Sequence, residues 1–150
     1  MKVLIQKVSQ ASVTVEQQCV AQINEGLLLL VGIGHEDTQE DIDYLVRKIS
    51  QMRIFEDEQG VMNLSVLDKK ADVLCVSQFT LMASTKKGNR PSYSQAARPE
   101  IALPLFDTFV DQMAQTIGKP VPKGVFGAFM EVALTNSGPV TIWVDSKQLV

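Results

Sequence analysis

His35 is the only histidine in the 150 residues, and that scarcity narrows the chemistry more than any motif does. A Ser-His-Asp or Cys-His arrangement would have to use it, yet no Gly-x-Ser-x-Gly elbow surrounds a serine, and Gly34-His35-Glu36 reads as a surface turn. His-Glu-x-x-His, the Walker lysine loop and Gly-x-Gly-x-x-Gly are all absent, which removes the common metal and phosphate mechanisms. There are only two cysteines, Cys19 and Cys75, both in strand-like stretches where buried thiols are expected. No second pair completes a tetrahedral metal site, so no metal and no other cofactor is expected. Apolar runs are short. Met1–Lys7 offers three apolar residues in a row, too few for a signal peptide, and no run approaches the ~18 that a membrane helix needs. A cytoplasmic protein with no membrane partner is expected. Strong basicity is missing too: at a net charge of −3 any contact with RNA must be local.

What is present describes a globular chain. Apolar residues make up 45% and charged residues 21%, and the length suits one domain spanning residues 1–150. Val3 and Ile5, then Val13 and Val15, alternate with polar neighbours, and Glu16-Gln17-Gln18 separates them from Cys19–Ile23, which predicts paired strands. Gly26–Gly34 is apolar on both faces, as in a central strand covered on each side. Thr38 stands three residues before Asp41 in a weak capping box, and Ile42, Leu45, Val46, Ile49 and Met52 follow at helical spacing. A second helical stripe, Leu105, Phe106, Phe109, Val110, Met113 and Ile117, ends at Gly118 and Pro120. Strands with two main helices between them define a single-domain α/β protein.

Two stretches are candidates for chemistry. Val73–Leu81 is an apolar strand that turns polar at its end. In an extended run Ser77 and Phe79 would face one side and Gln78 and Thr80 the other, with backbone N–H groups available as an oxyanion hole. It leads into Ser84–Pro91, where Lys86, Lys87 and Arg90 are suited to phosphate contacts or simply to solvation. The other stretch, Asn136-Ser137-Gly138-Pro139, lies between strand-like runs at 129–134 and 140–144. It reads most simply as a hairpin turn, although Gly there permits close approach of a ligand.

Met1–Ser9, Ser77-Gln78-Phe79-Thr80-Leu81, Thr85–Ser92 and Asn136–Thr141, four motifs in order along the chain, together resemble the D-aminoacyl-tRNA deacylases. The resemblance implies a layered α/β/β fold with a mostly antiparallel or mixed sheet. It implies a homodimer that hydrolyses the ester between a D-amino acid and the terminal adenosine of tRNA. Ser77, Gln78, Phe79 and Thr80 would form the catalytic pocket, with Met130 and Asn136 near it. Gly138-Pro139, a cis pair in that family, would reach into the partner's pocket and exclude L-amino acids. Lys86, Lys87 and Arg90 would contact RNA. Phe129 and Ser137 stand where the family commonly has acidic residues.

Such a reaction explains the missing machinery. An aminoacyl ester is reactive and carries a vicinal 2′-hydroxyl, so positioning and oxyanion stabilisation suffice without a protein base. Glycine, with no side chain to reject, is an expected secondary substrate. The alternative is a non-catalytic nucleic-acid-binding protein using the basic loop 85–91, which would bind without turnover.

Overall fold

A 14-residue strand, β1 (Lys2–Val15), carries strands along both of its edges. The structure is a computed structural model that describes residues 1–148. On one edge β2 (Gln18–Ile23) pairs antiparallel with the second half of β1, and β3 (Gly26–Gly32) pairs antiparallel with the first half. The turn between β1 and β2 has positive φ at Glu16 (50°) and Gln17 (67°), the backbone of a two-residue hairpin that follows strand twist. After α1 (Gln39–Gln51), β4 (Phe55–Glu56) and β5 (Met62–Leu64) form a small ribbon, followed by the short helix α2 (Val66–Lys69). Strand β6 (Asp72–Ser77) then lies parallel to β3. After α3 (Pro99–Ile117), β7 (Glu131–Asp145) runs antiparallel along the other edge of β1 and completes a mixed five-stranded sheet.

The apolar face of each helix dictates the packing. Ile42, Leu45 and Ile49 of α1 and Phe106, Phe109 and Met113 of α3 bury against Val3, Ile5, Leu29, Val73 and Cys75 on one face of the sheet. The opposite face carries Leu28, Leu74 and Val76, which bury against Val8, Ala11, Val13, Ala21 and Ile23 where the sheet curls over itself. The result is the expected α/β/β layering, and it explains why β3 is apolar on both sides.

Three expectations need correction. Ser77–Thr80 is not one extended run: β6 ends at Ser77, and Phe79–Met82 winds into a 3-10 turn. Residues 129–144 do not form a hairpin. Thr141–Asp145 pairs with Lys2–Gln6 of β1, and Glu131–Asn136 pairs with the stretch from Val8 to Thr14. Gln6 and Val8 are therefore matched by Thr141 and Asn136, and the residues between those two bulge out of a continuous strand. Finally, Cys19 is exposed, because its end of β2 lies at the rim of the sheet; Cys75 is buried. Helix α2 was also hidden in the sequence, although Ser65 and Asp68 cap each other's backbone there.

Candidate active site

Where β3 and β6 end, they meet the start of α3 and the 126–132 segment around a cavity of about 510 Å³, within the usual range of small-ligand clefts. Ser77, Gln78 and Phe79 line one side, Ala97, Pro99 and Ala102 another, and Phe126, Met130 and Val132 a third. Gly32 allows the 78–82 turn to close against β3, since a Cβ there would sit 2.9 Å from Leu81 Cβ. Gly124 makes room for Met130 in the same way: its Cβ would lie 2.5 Å from the sulfur.

The chemistry of the walls is unusual for a hydrolytic site. Among the described residues, no titratable side chain lines this cavity. Gln78 reaches over the turn and donates from Nε2 to Thr80 Oγ1 at 2.5 Å; Thr80 itself is not part of the walls. Gln78 N–H is used by Val31 O at 2.8 Å, whereas neither Phe79 N–H nor Thr80 N–H has a backbone acceptor among the described residues. These two N–H groups, in the turn that follows the cavity wall, are thus without a backbone partner among the described residues. Phe129 stands at the mouth, 85% exposed.

Asn136, Gly138 and Pro139 lie outside the walls of this chain's own cavity. The Gly138-Pro139 bond is cis, and both residues are exposed. Their bulge is braced by side chains. Asn136 Oδ1 accepts from Val140 N at 2.9 Å, Asn136 Nδ2 donates to Gln6 Oε1, and Thr141 Oγ1 donates to the same oxygen at 2.6 Å.

Lys86, Lys87 and Arg90 occupy the exposed tip of a hairpin closed by mutual backbone bonds of Ser84 and Ser92, at 2.8 and 2.9 Å. Among the described residues none of the three cations is in an ion pair. His35 is exposed and engaged with Ser94 O through Nε2 at 2.7 Å. Among the described residues no group of three or more His, Cys, Asp or Glu side chains is placed to hold a metal. No helix there is long and apolar enough to cross a membrane.

Sequence reasoning missed Phe126 and the small residues Ala97 and Ala102 as cavity walls, and Gln6 as a brace. The first had a legible signal: glycines at 124 and 127 flank an aromatic residue in a loop just before a strand. The brace had none, since Gln6 meets Asn136 only through the long-range register of β1 and β7.

A family model described as D-Tyr-tRNA(Tyr) deacylase matches residues 4–145. The chain belongs to this family. Proteins named D-aminoacyl-tRNA deacylase from Chromobacterium violaceum and Flavobacterium psychrophilum are 62% and 59% identical to it over 147 residues, covering 98% of this chain and 98% of each relative. Among solved structures, one described as a c-Myc DNA unwinding element binding protein superposes with a TM-score of 0.92 at 42% identity, over 97% of this chain and 98% of that one. Another, described as a probable eukaryotic D-amino acid tRNA deacylase, gives a TM-score of 0.82 at 18% identity over 95% and 97% of the two chains, and speaks to the fold alone.

Proposed function

We propose that this protein hydrolyses the ester bond of D-aminoacyl-tRNA, releasing the D-amino acid and free tRNA, and that it works as a homodimer in the cytoplasm. Family membership supports the substrate. The observation that carries the mechanism is the absence of any titratable side chain from the described cavity walls. Ser77, Gln78 and Phe79, with Met130 opposite, would hold the terminal adenosine and its ester. The free N–H groups of Phe79 and Thr80 would bond the carbonyl oxygen as it becomes an oxyanion. The vicinal 2′-hydroxyl of the substrate would orient the attacking water; the water oxygen would add to the carbonyl, the bond to the 3′-oxygen would break, and the proton given up by the water would pass to that oxygen as the free 3′-hydroxyl forms.

Chirality would be tested across the dimer. The exposed Gly138-Pro139 bulge is absent from its own cavity, which fits main-chain carbonyls that enter another copy's cavity and crowd an L side chain at the α-carbon. A check made there accepts many D side chains and admits glycine as a secondary substrate. Lys86, Lys87 and Arg90 would bind backbone phosphates. A binding protein without turnover is the less favoured alternative, because a cleft of this size beside free N–H donors serves no purpose in holding nucleic acid by a basic loop.

Deacylation of D-tyrosyl-tRNA against L-tyrosyl-tRNA decides the matter. The D form is expected to be cleared and the L form spared. Equal rates would remove the chiral mechanism, and binding without turnover would restore the alternative.

A further inference from the structure

The aromatic surface of the cavity does not stop at Phe79. Tyr93 lies against it edge-on, ring centroids 5.1 Å apart and planes at 73°, with Phe79 57% and Tyr93 40% exposed. Tyr93 is also held in place from both sides. Ser92 is tied to Ser84 by two backbone bonds, and Ser94 O bonds His35 Nε2 at 2.7 Å. An exposed aromatic ring on backbone tied down at both flanks gives contact area with limited ordering cost on binding. Ser92, next to Tyr93, closes the hairpin whose tip carries Lys86, Lys87 and Arg90, three cations in no ion pair among the described residues, on a chain whose net charge is −3. The exposed ring thus adjoins both Phe79 of the cavity wall and the base of the positive hairpin.

We infer that Tyr93 is a stacking platform for the unpaired nucleotide that precedes the terminal adenosine. Aromatic rings between a binding cavity and phosphate-holding cations are the arrangement by which proteins track a single strand irrespective of sequence. The inference deepens the proposed function, since it takes the terminal adenosine to occupy the cavity. Tyr93 touches neither the ester nor the attacking water, so it acts on binding and register, not on chemistry. One base lost from its stack costs roughly tenfold in affinity.

Two measurements test this, and the first needs no catalysis. Binding of a fluorescent single-stranded oligoribonucleotide ending in CCA, read by anisotropy, is expected to weaken about tenfold in Tyr93→Ala and to persist in Tyr93→Trp and Tyr93→Phe. Unchanged binding in Tyr93→Ala, or equal loss in all three variants, overturns the platform. In the second, Tyr93→Ala is expected to raise KM for D-tyrosyl-tRNA while leaving kcat, and the hydrolysis of 3′-O-(D-tyrosyl)adenosine, unchanged. An equal loss on both substrates means that Tyr93 merely props Phe79, and overturns the inference. A wild-type protein that binds the oligonucleotide through Tyr93 but cleaves neither substrate would instead remove the proposed function and leave the platform standing.

Discussion

Gln78 Nε2 donates a 2.5 Å hydrogen bond to Thr80 Oγ1, so the Thr80 hydroxyl is an acceptor from an amide. A carboxamide is no base in either orientation, and with no titratable group on the described walls nothing is left to take the Thr80 proton. Thr80→Ala is therefore expected to keep at least about a tenth of the wild-type kcat, since general-base activation is worth ~10²–10⁴ where it operates. D-tyrosyl-tRNA ending in 2′-deoxyadenosine is expected to be hydrolysed poorly. Single-turnover assays check both. Collapse of the Thr80→Ala rate, with the deoxy substrate unaffected, would reinstate a covalent mechanism.

Asn136 holds the 137–140 bulge from inside, accepting from Val140 N and donating to Gln6, which Thr141 also bonds. Removing a partner from such a network costs ~1–3 kcal/mol locally. Because the bulge is exposed, that cost falls on its orientation more than on the core. Asn136→Ala and Gln6→Ala are expected to narrow the ratio of D to L deacylation rates while melting temperature falls by only a few degrees. Discrimination that stays intact in both variants would detach the brace from chiral selection.

How far the sequence foretold this depends on the range of the interactions. The helices were legible because Ile42, Leu45, Val46 and Ile49 repeat at helical spacing and bury as that spacing predicts. The pairing of residues 129–144 was not, since a bulge and a hairpin turn share the same Asn, Gly and Pro, and only the length of β1 tells them apart. The break at Ser77 was hidden for a related reason: Phe79-Thr80-Leu81 has strand-like composition, and its 3-10 turn packs where Gly32, distant in sequence, leaves room for it. Ser77, Gln78 and Phe79 were recognisable as motif residues and Met130 only through the family resemblance, but that they share one cavity is a property of the fold alone.

The two thiols are expected to differ in reactivity. Burial pushes the Cys75 thiol far up, because a thiolate there would be stripped of water. Cys19 is exposed on β2. A thiol reagent on the native protein is expected to label Cys19 alone, with Cys75 following only in denaturant. Labelling of native Cys75 would contradict its burial.

The hairpin tip predicts a salt signature. If Lys86, Lys87 and Arg90 each neutralise a phosphate, each substitution by Ala lowers the slope of log K against log salt by about one for tRNA binding. Hydrolysis of 3′-O-(D-tyrosyl)adenosine is expected to be untouched. Equal salt slopes in the wild type and the triple variant would assign the tip to solvation only.

Asp41, which does not line the cavity, links folding to pH. Burial alone would raise its carboxyl, but a 2.5 Å bond from Ser146 Oγ, a 2.8 Å bond from Thr38 N and the Lys147 ammonium at 3.0 Å outweigh that and bring it from 3.8 to about 2. A carboxylate whose pKa is lower when folded stabilises the fold above its unfolded pKa, and that stability drains away as pH falls through the folded value. The window therefore runs from about pH 4 down to about pH 2. The depression alone corresponds to about 2 kcal/mol, and solvent screening of a partly hydrated cluster reduces this to about 1 kcal/mol. Asp41→Asn is expected to unfold at lower urea than the wild type at pH 7, with the gap closing as pH approaches 2. A gap that persists unchanged at pH 2 would mean that the loss comes from packing and not from the charge.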